Sequence, residues 1–479
     1  MWTGRSSRKL LQRSLLLRGF SKSAAGCPEG RVLAIRREES SVWERRAPLS
    51  PSHVQALVSN GVKVLVQSSS RRAYSKHEYE AAGAVMTDDI SEADTILGVK
   101  QVPVQHLLPD KTYAFFSHTI KAQPDNMPLL DALLEKRVRL VDYERILDNR
   151  GVRMVAFGQY AGITGMINIL HGLGLKLLAL GHHTPFMHIG AAHNYPSSSA
   201  AKAAIANLGR EIQYGLMPKI IGPMIFTFTG AGNVSQGAQS VFKELPHEYV
   251  SPDDLREVVE KGDTRKVYAT VVDKHHHLVR KSDGGYNEEE FLTQPDLYKA
   301  TFSEKVAPYT TCLINGVFWV PGTPRLLTLD QAKQLHPPHV DSEELRFEGV
   351  PQLPQRLLAI ADISCDISGS LEFMKWSTTI DDLFVVYNAH TEKVSNDIAS
   401  NGIVLMTVDN LPAQIPREAT DFFGSRLLPL IHDFLRLDGQ RPLADYDGIS
   451  DSIRNAVITY NGNLTDNYKY IADLRKKTN

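Results

Sequence analysis

The chain has 479 residues, with 53 basic and 54 acidic side chains and a formal net charge of −1. At ~150 residues per domain it holds two or three domains, and a charge so near zero supplies no field to recruit nucleic acid or an anionic membrane. Three cysteines (Cys27, Cys312, Cys365), odd in number and far apart, argue against a disulfide framework and fit a reducing compartment.

Residues 1–28 carry Arg5, Arg8, Lys9, Arg13, Arg18 and Lys22 and no acid, with Leu10, Leu11, Leu15, Leu16 and Leu17 among them at roughly helical spacing. An arginine- and serine-rich, acid-free, amphipathic start is the composition of a mitochondrial transit peptide. The expectation is therefore import into the mitochondrial matrix and removal of residues 1–30. No apolar run here reaches the roughly 18 residues of a membrane span.

Beyond it, short apolar runs alternate with helical ones. Arg31–Arg36 reads as a buried strand, followed by a polar, arginine-dense loop, a helix over Ser52–Ser59 and a strand over Val62–Val66. Tyr79–Ala84 is helical in character. Three more strands follow: Thr95–Lys100, ending on a lysine; Tyr113–Phe116, leading to Ser117-His118; and Arg139–Val141, leading to Asp142-Tyr-Glu144. The alternation predicts a parallel α/β sheet. Ligands of such sheets lie at the carboxyl ends of the strands, where Lys100, His118 and Glu144 fall.

Met154–Leu180 is long and mostly apolar, but Gln159, Asn168, His171 and Lys176 make it a poor membrane helix. A buried helix joining two domains is expected, with Gly158, Gly162 and Gly165 allowing close packing. The histidines at 182, 183, 188 and 193 show no zinc-type spacing, and His275-His276-His277 reads as a solvated loop. No metal is expected.

Met224–Leu245 holds the most specific local signal. An aromatic strand breaks at Gly230, Gly232 follows, then Asn233, Val234 and Gly237 open a helix. A tight turn, a backbone that can approach a pyrophosphate and a helix N-terminus aimed at it make a dinucleotide site. The spacing departs from the standard fingerprint: Ser235 stands where the third glycine belongs and Gly237 comes two residues late. The sequons at Asn233 and Asn463 are read as chance matches.

His247–Val250 is the candidate second strand of this domain. An NAD site places an acid at such a strand end to hold the ribose 2′-hydroxyl. Here stand Val250-Ser251-Pro252, with Asp253 and Asp254 slightly later; Ser251 tolerates a 2′-phosphate and Arg256 can meet it, while the aspartates can serve NAD. Further strands are expected over Lys266–Val272, Thr311–Phe318, Leu357–Ile363 and Val404–Val408. The third of these ends in Asp362-Ile-Ser-Cys-Asp366, polar groups placed for a nicotinamide or ribose. Lys281–Ala300 reads as an exposed insertion, Pro416-Arg-Glu-Ala as a helix start, and the tail as polar and helical.

Taken together, IRREESSVWERRAPLSP, TILGVK, YAFFSHTIKAQ, LVDYERILDNRGVRMVAFGQYAG, GAGNVSQGA, IADISCD and VDNLPAQIPREATDFF resemble the lysine–2-oxoglutarate reductase part of aminoadipic semialdehyde synthases. More distantly they resemble fungal saccharopine dehydrogenases, alanine dehydrogenases and the transhydrogenase N-terminal domain. The resemblance covers the chain from about Arg31 to its end. It implies an α/β fold of two Rossmann-like domains with parallel sheets and an active-site cleft between them. The division expected is a substrate domain over 31–155, a dinucleotide domain over 156–408 and a return to the substrate domain over 409–479.

The resemblance further implies condensation of L-lysine with 2-oxoglutarate and reduction of the imine to saccharopine, the first step of mitochondrial lysine degradation. It tips the hydride donor to NADPH, with NADH as the alternative. Imine formation needs two proton-transfer groups of complementary protonation, and Lys100 and His118 match the family's acid–base pair. Carboxylate substrates need cations, ideally the arginine fork; Arg46 and Arg153 match the family's positions, with Arg36 behind them, and Glu144 matches an acid that tunes the lysine or holds the amine. Gln101 stands where the fungal enzymes have glutamate. A saccharopine-cleaving domain is absent from these residues, which fit a reductase-only form or one half of a bifunctional protein, and a homo-oligomer stays open. The competing readings are an alanine dehydrogenase-like oxidoreductase and a non-catalytic lysine- or nucleotide-binding module.

Overall fold

The structure, a computed structural model, describes residues 30–317, 319–336, 346–347, 350–437, 443–446 and 448–478. The basic segment 1–29, with Cys27, and Phe318 lie outside the described residues. The described residues form two compact units, one drawn from within 1–157 and 416–479 and the other from within 158–415, against expected crossings after 155 and 408.

Strands in chain order are β1 (Val32–Ile35), β2 (Lys63–Gln67), β3 (Val85–Thr87), β4 (Thr95–Leu97), β5 (Thr112–Phe115), β6 (Arg139–Asp142), β7 (Ile225–Thr229), β8 (His247–Tyr249), β9 (Val267–Val272), β10 (Leu278–Arg280), β11 (Tyr298–Ala300), β12 (Cys312–Asn315), β13 (Arg346–Phe347), β14 (Val350–Pro351), β15 (Ala359–Asp362), β16 (Val385–Asn388), β17 (Lys393–Ser395), β18 (Ile403–Met406), β19 (Val457–Tyr460) and β20 (Asn463–Leu464).

The first unit is an eight-stranded sheet in the order β20-β19-β6-β5-β4-β1-β2-β3. From β6 to β3 all pairings are parallel. β1, β4, β5 and β6 are buried along their whole length, as strands covered on both faces must be. One face packs Leu33, Val64 and Val141 against Phe423, Leu427 and Phe434 from the returning segment. The other packs Ala34, Tyr113 and Leu140 against Leu130, Leu133 and Ile471.

The second unit is another eight-stranded sheet, β17-β16-β18-β15-β12-β7-β9-β8, parallel from β18 to β8 with β16 and β17 added antiparallel at one edge. Its first helix, Gly158–Ala179, is long and apolar enough to cross a membrane, yet 78% of its apolar window is buried inside the protein. Two backbones touch here. A Cβ on Gly162 would stand 1.9 Å from the Val234 carbonyl oxygen, and one on Gly237 would stand 2.1 Å from that of Gln159. The helix Asn233–Phe242, which follows the Gly230–Gly232 turn, therefore lies directly on the long helix.

Four expectations need correction. The tail is not only helical: β19 pairs antiparallel with β6, and β20 extends it. Lys281–Ala300 is not a plain exposed insertion: its β11 pairs with β10 just before it, and Phe291 and Tyr298 make a small core with Leu278. His275–His277 form a short helix with Lys274, and His277 is buried. Above all, β8 does not lie beside β7. The neighbours of β7 are β12 and β9, and β8 pairs only with β9 at the sheet edge.

Candidate functional site

In the first unit, four adjacent parallel strands deliver charged groups from their carboxyl ends: Arg36 and Glu38 after β1, Lys100 after β4, His118 after β5 and Glu144 after β6. After Leu97 the chain still pairs irregularly, Gly98 N donating to Ala114 O and Phe116 N to Val99 O. Glu38 then fixes the lysine: its buried carboxylate accepts from Val99 N at 2.7 Å and Lys100 N at 3.0 Å. Burial, and next to it the Glu44 charge, push the Glu38 carboxyl above its ordinary range against the pull of Arg36.

Arg46 and Glu44 form a buried bidentate pair at 2.7 and 2.6 Å, and the guanidinium lies 4.3 Å from the Phe157 ring centroid. Burial opposes charge on Glu44, but Arg46, its hydrogen bonds and Lys100 outweigh it and hold the carboxyl below its ordinary range. The fork expected to meet a substrate carboxylate thus has a partner from its own chain. Arg36 is buried too; Nη2 pairs with Glu39, while Nη1 has no hydrogen-bond partner.

His118 has φ +54°, a left-handed conformation that a non-glycine residue adopts only at a cost. There its Nδ1 lies 3.5 Å from Glu144 Oε1, and Arg153 Nη2 lies 3.6 Å from the same oxygen. Burial resists ionisation of Glu144, yet His118, Arg153 and Lys121 lower its carboxyl below the ordinary range. Beneath them Asp142, fully buried, accepts from the Ser117 hydroxyl, from Ser117 N at 3.2 Å and from Glu144 N at 2.8 Å. Burial, with the Glu144 charge, pushes the Asp142 carboxyl up to about 6.

The second unit carries the glycine loop. β7 is wholly buried, Gly230 turns with φ +76°, and its N–H donates to Val272 O at 2.9 Å. Gly232 is the N-cap of the next helix and offers no side chain to occupy the first-turn amides of Asn233 and Val234. Gly237, in contrast, faces the long helix; what the position demands is packing.

Beside the loop a chain of hydrogen bonds joins three strand ends. Thr229 Oγ1 donates to Asn315 Oδ1 at 2.8 Å, and Asn315 Nδ2 to Asp362 Oδ1 and Ser370 Oγ at 2.9 Å each. Burial drives the Asp362 carboxyl up to about 6. Asp366 sits in the following turn, where Cys365 and Ser368 both have positive φ. Ser251 lies after the exposed edge strand β8, with β9 between that strand and β7. The residue closing the strand next to the loop is Asp273, followed by Lys274 and His275; its side chain accepts from Lys274 N, and its N–H donates to His276 Nδ1.

Lys100, His118, Glu144, Arg153, Arg36 and Arg46 are thus gathered at one end of one sheet, and Gly230, Gly232, Asn233, Val234, Asp362 and Asp366 at strand ends of the other. The sequence reading missed Glu38, Glu44, Asp142, Asn315 and Asp273. For the two glutamates a signal existed: arginines in a loop that must be buried need carboxylates nearby.

The family model "Alanine dehydrogenase/PNT, N-terminal domain" matches residues 34–164, and "Alanine dehydrogenase/PNT, C-terminal domain" matches residues 362–467. An L-alanine dehydrogenase structure superimposes with a TM-score of 0.58 at 15% identity, covering 94% of this chain and 100% of that one, a likeness of fold. The chain belongs to the alanine dehydrogenase/PNT family, with two Rossmann-like α/β units. Its relatives include the mitochondrial alpha-aminoadipic semialdehyde synthase of Mus musculus, 53% identical over 97% of this chain and 50% of that protein, and the alpha-aminoadipic semialdehyde synthase of Arabidopsis thaliana, 39% identical over 93% and 42%. The chain spans half or less of the length of these relatives. A saccharopine dehydrogenase [NAD(+), L-lysine-forming] of Candida glabrata is 24% identical over 82% of this chain and 89% of its own.

Proposed function

We propose that this chain is a lysine–2-oxoglutarate reductase, joining the ε-amine of L-lysine to the keto carbon of 2-oxoglutarate and reducing the imine to saccharopine. The observation that carries the reading is the placement of Lys100 and His118 on adjacent strand ends, each steadied by a buried carboxylate, Glu38 for the lysine backbone and Asp142 for the histidine turn. Carbinolamine formation and dehydration require one group to give a proton while another takes one, and these two supply the pair. Arg153 and Arg36 offer cations to carboxylates; Glu144, held ionised, suits an amine.

The glycine loop would hold the dinucleotide pyrophosphate, with the first-turn amides of Asn233 and Val234 as donors, and the bound reduced nicotinamide supplies the hydride. The family resemblance implies NADPH, and Lys274 places a cationic group after β9. Asp273, which closes the strand next to the glycine loop, is the observation that favours NADH. Mitochondrial relatives and the acid-free N-terminal composition support a matrix location.

The deciding assay is oxidation of NADPH or NADH by the purified protein, with lysine or ammonia offered against 2-oxoglutarate or pyruvate. Turnover only with lysine and 2-oxoglutarate supports the reading. Turnover with ammonia and pyruvate makes the protein alanine dehydrogenase-like, and dinucleotide binding without turnover makes it a binding module.

A further inference from the structure

We infer that Gln101 and Asn126 are positioning residues for His118: two side-chain amides clamp the left-handed turn that brings the imidazole to Glu144. The inference rests on the acid–base role proposed for His118. Gln101 Nε2 donates to Ser117 O at 2.6 Å and to Asn126 Oδ1 at 2.8 Å; Asn126 Nδ2 donates to His118 O at 3.0 Å and to Gln123 Oε1 at 3.2 Å. Two consecutive carbonyls of the strained turn are thereby held by two linked amides.

The donor count leaves no slack. A carboxamide has two N–H donors, and each of these four is directed at an acceptor. Turning either amide over would set oxygen against a backbone carbonyl oxygen, so the orientation follows from the network itself. Asn126 is also the N-cap of the helix Met127–Glu135, where an asparagine side chain ordinarily accepts from a first-turn amide. Here it makes no such cap; its side chain is diverted to His118 O.

The opposite side of the turn is tied by Asp142 through Ser117, and the Ser117 hydroxyl lies 2.8 Å from that of Thr119. A left-handed histidine persists only where its surroundings over-determine it, and these bonds flank it on both sides. Because Gln101 follows Lys100 directly, its bond to Ser117 O also ties the end of the β4 segment to that of β5. The amide pair thus sets how Lys100 and His118 stand to each other.

Gln101→Glu and Asn126→Asp keep shape and remove both donors of each amide. Each should lower kcat about tenfold, the scale of one or two lost hydrogen bonds, with dinucleotide Kd unchanged. In a His118→Gln background Asn126→Asp should cost less than twofold more, since it acts through the histidine. Independently of turnover, the Cα and Cβ chemical shifts of His118 in selectively labelled protein should leave the left-handed range in Asn126→Asp. Unchanged shifts overturn the clamp, as does a full tenfold further loss in the His118→Gln background. Full activity in His118→Gln would instead sink the acid–base reading, leaving the chemical shifts to decide the clamp.

Discussion

Gly232 offers a prediction in which binding moves and stability barely does. Its φ is −78° and ψ −173°, extended backbone open to any residue, and a Cβ built there meets no atom within 4 Å. Nothing in the fold requires glycine. Gly232→Ala should therefore leave the stability of the free protein within about 1 kcal/mol, since the freedom lost by the unfolded chain offsets alanine's poorer fit at an N-cap. If a pyrophosphate rests against this backbone, the added methyl group fills that approach and raises dinucleotide Kd about tenfold or more, about 1.4 kcal/mol. Gly162→Ala is the counterpart. Its Cβ would lie 1.9 Å from Val234 O and 2.8 Å from Ala238 N, both backbone atoms, so the two helices must separate by about an ångström at a cost of about 1–3 kcal/mol. That variant should lose both stability and affinity. Thermal unfolding of the free protein and titration with NADPH by protein fluorescence read the two quantities. An unchanged Kd in Gly232→Ala would refute the placement of the pyrophosphate.

Lys100→Met should lower kcat by roughly 10²-fold or more, with His118→Gln similar and the double variant short of the product of the two; near-normal kcat in folded Lys100→Met, by dinucleotide oxidation, would make the lysine structural. Asp273→Ser should raise kcat/KM for NADPH relative to NADH about tenfold, and an unchanged ratio would remove Asp273 from the ribose site. Burial lowers His53 to about 4 from an ordinary 6.5, against the Asp421 charge. Its neutral form belongs to the fold, so the stability it contributes, about 3 kcal/mol, is complete above pH 6.5 and is lost as pH falls toward 4. Urea unfolding across this range should show a shallower loss in His53→Gln than in the wild type, and equal slopes would place the acid sensitivity elsewhere.

Strands such as β1, β2 and β7 were legible because central parallel strands are continuous apolar runs. β3, a short edge strand with an exposed residue, hid behind the helical pattern of Tyr79–Ala84, whereas β8 was legible at His247–Val250 and only its place at the sheet edge was not. β19 is buried but pairs antiparallel with β6, more than 300 residues earlier in the chain, and no local periodicity reports such a partner. Strand adjacency is likewise a tertiary property, which is why Ser251 was read where Asp273 stands. The rule of carboxyl strand ends was enough to bring out Lys100, His118 and Glu144. Glu38, Glu44 and Asp142 owe their character to burial and to partners, neither of which is written in their spacing. Gln101 and Asn126 are ordinary polar residues whose meaning lies in the positive φ of a neighbour.

The first unit is assembled from both ends of the chain, and this orders its birth on the ribosome. β1 to β6 emerge first, with Leu33, Val64 and Val141 on a face whose cover, Phe423, Leu427 and Phe434, is encoded beyond residue 415. The second unit is contiguous in sequence and can close as soon as it is made. The older strands wait through that whole interval with an apolar face and the β6 edge uncovered, the kind of surface on which nascent chains aggregate and chaperones act.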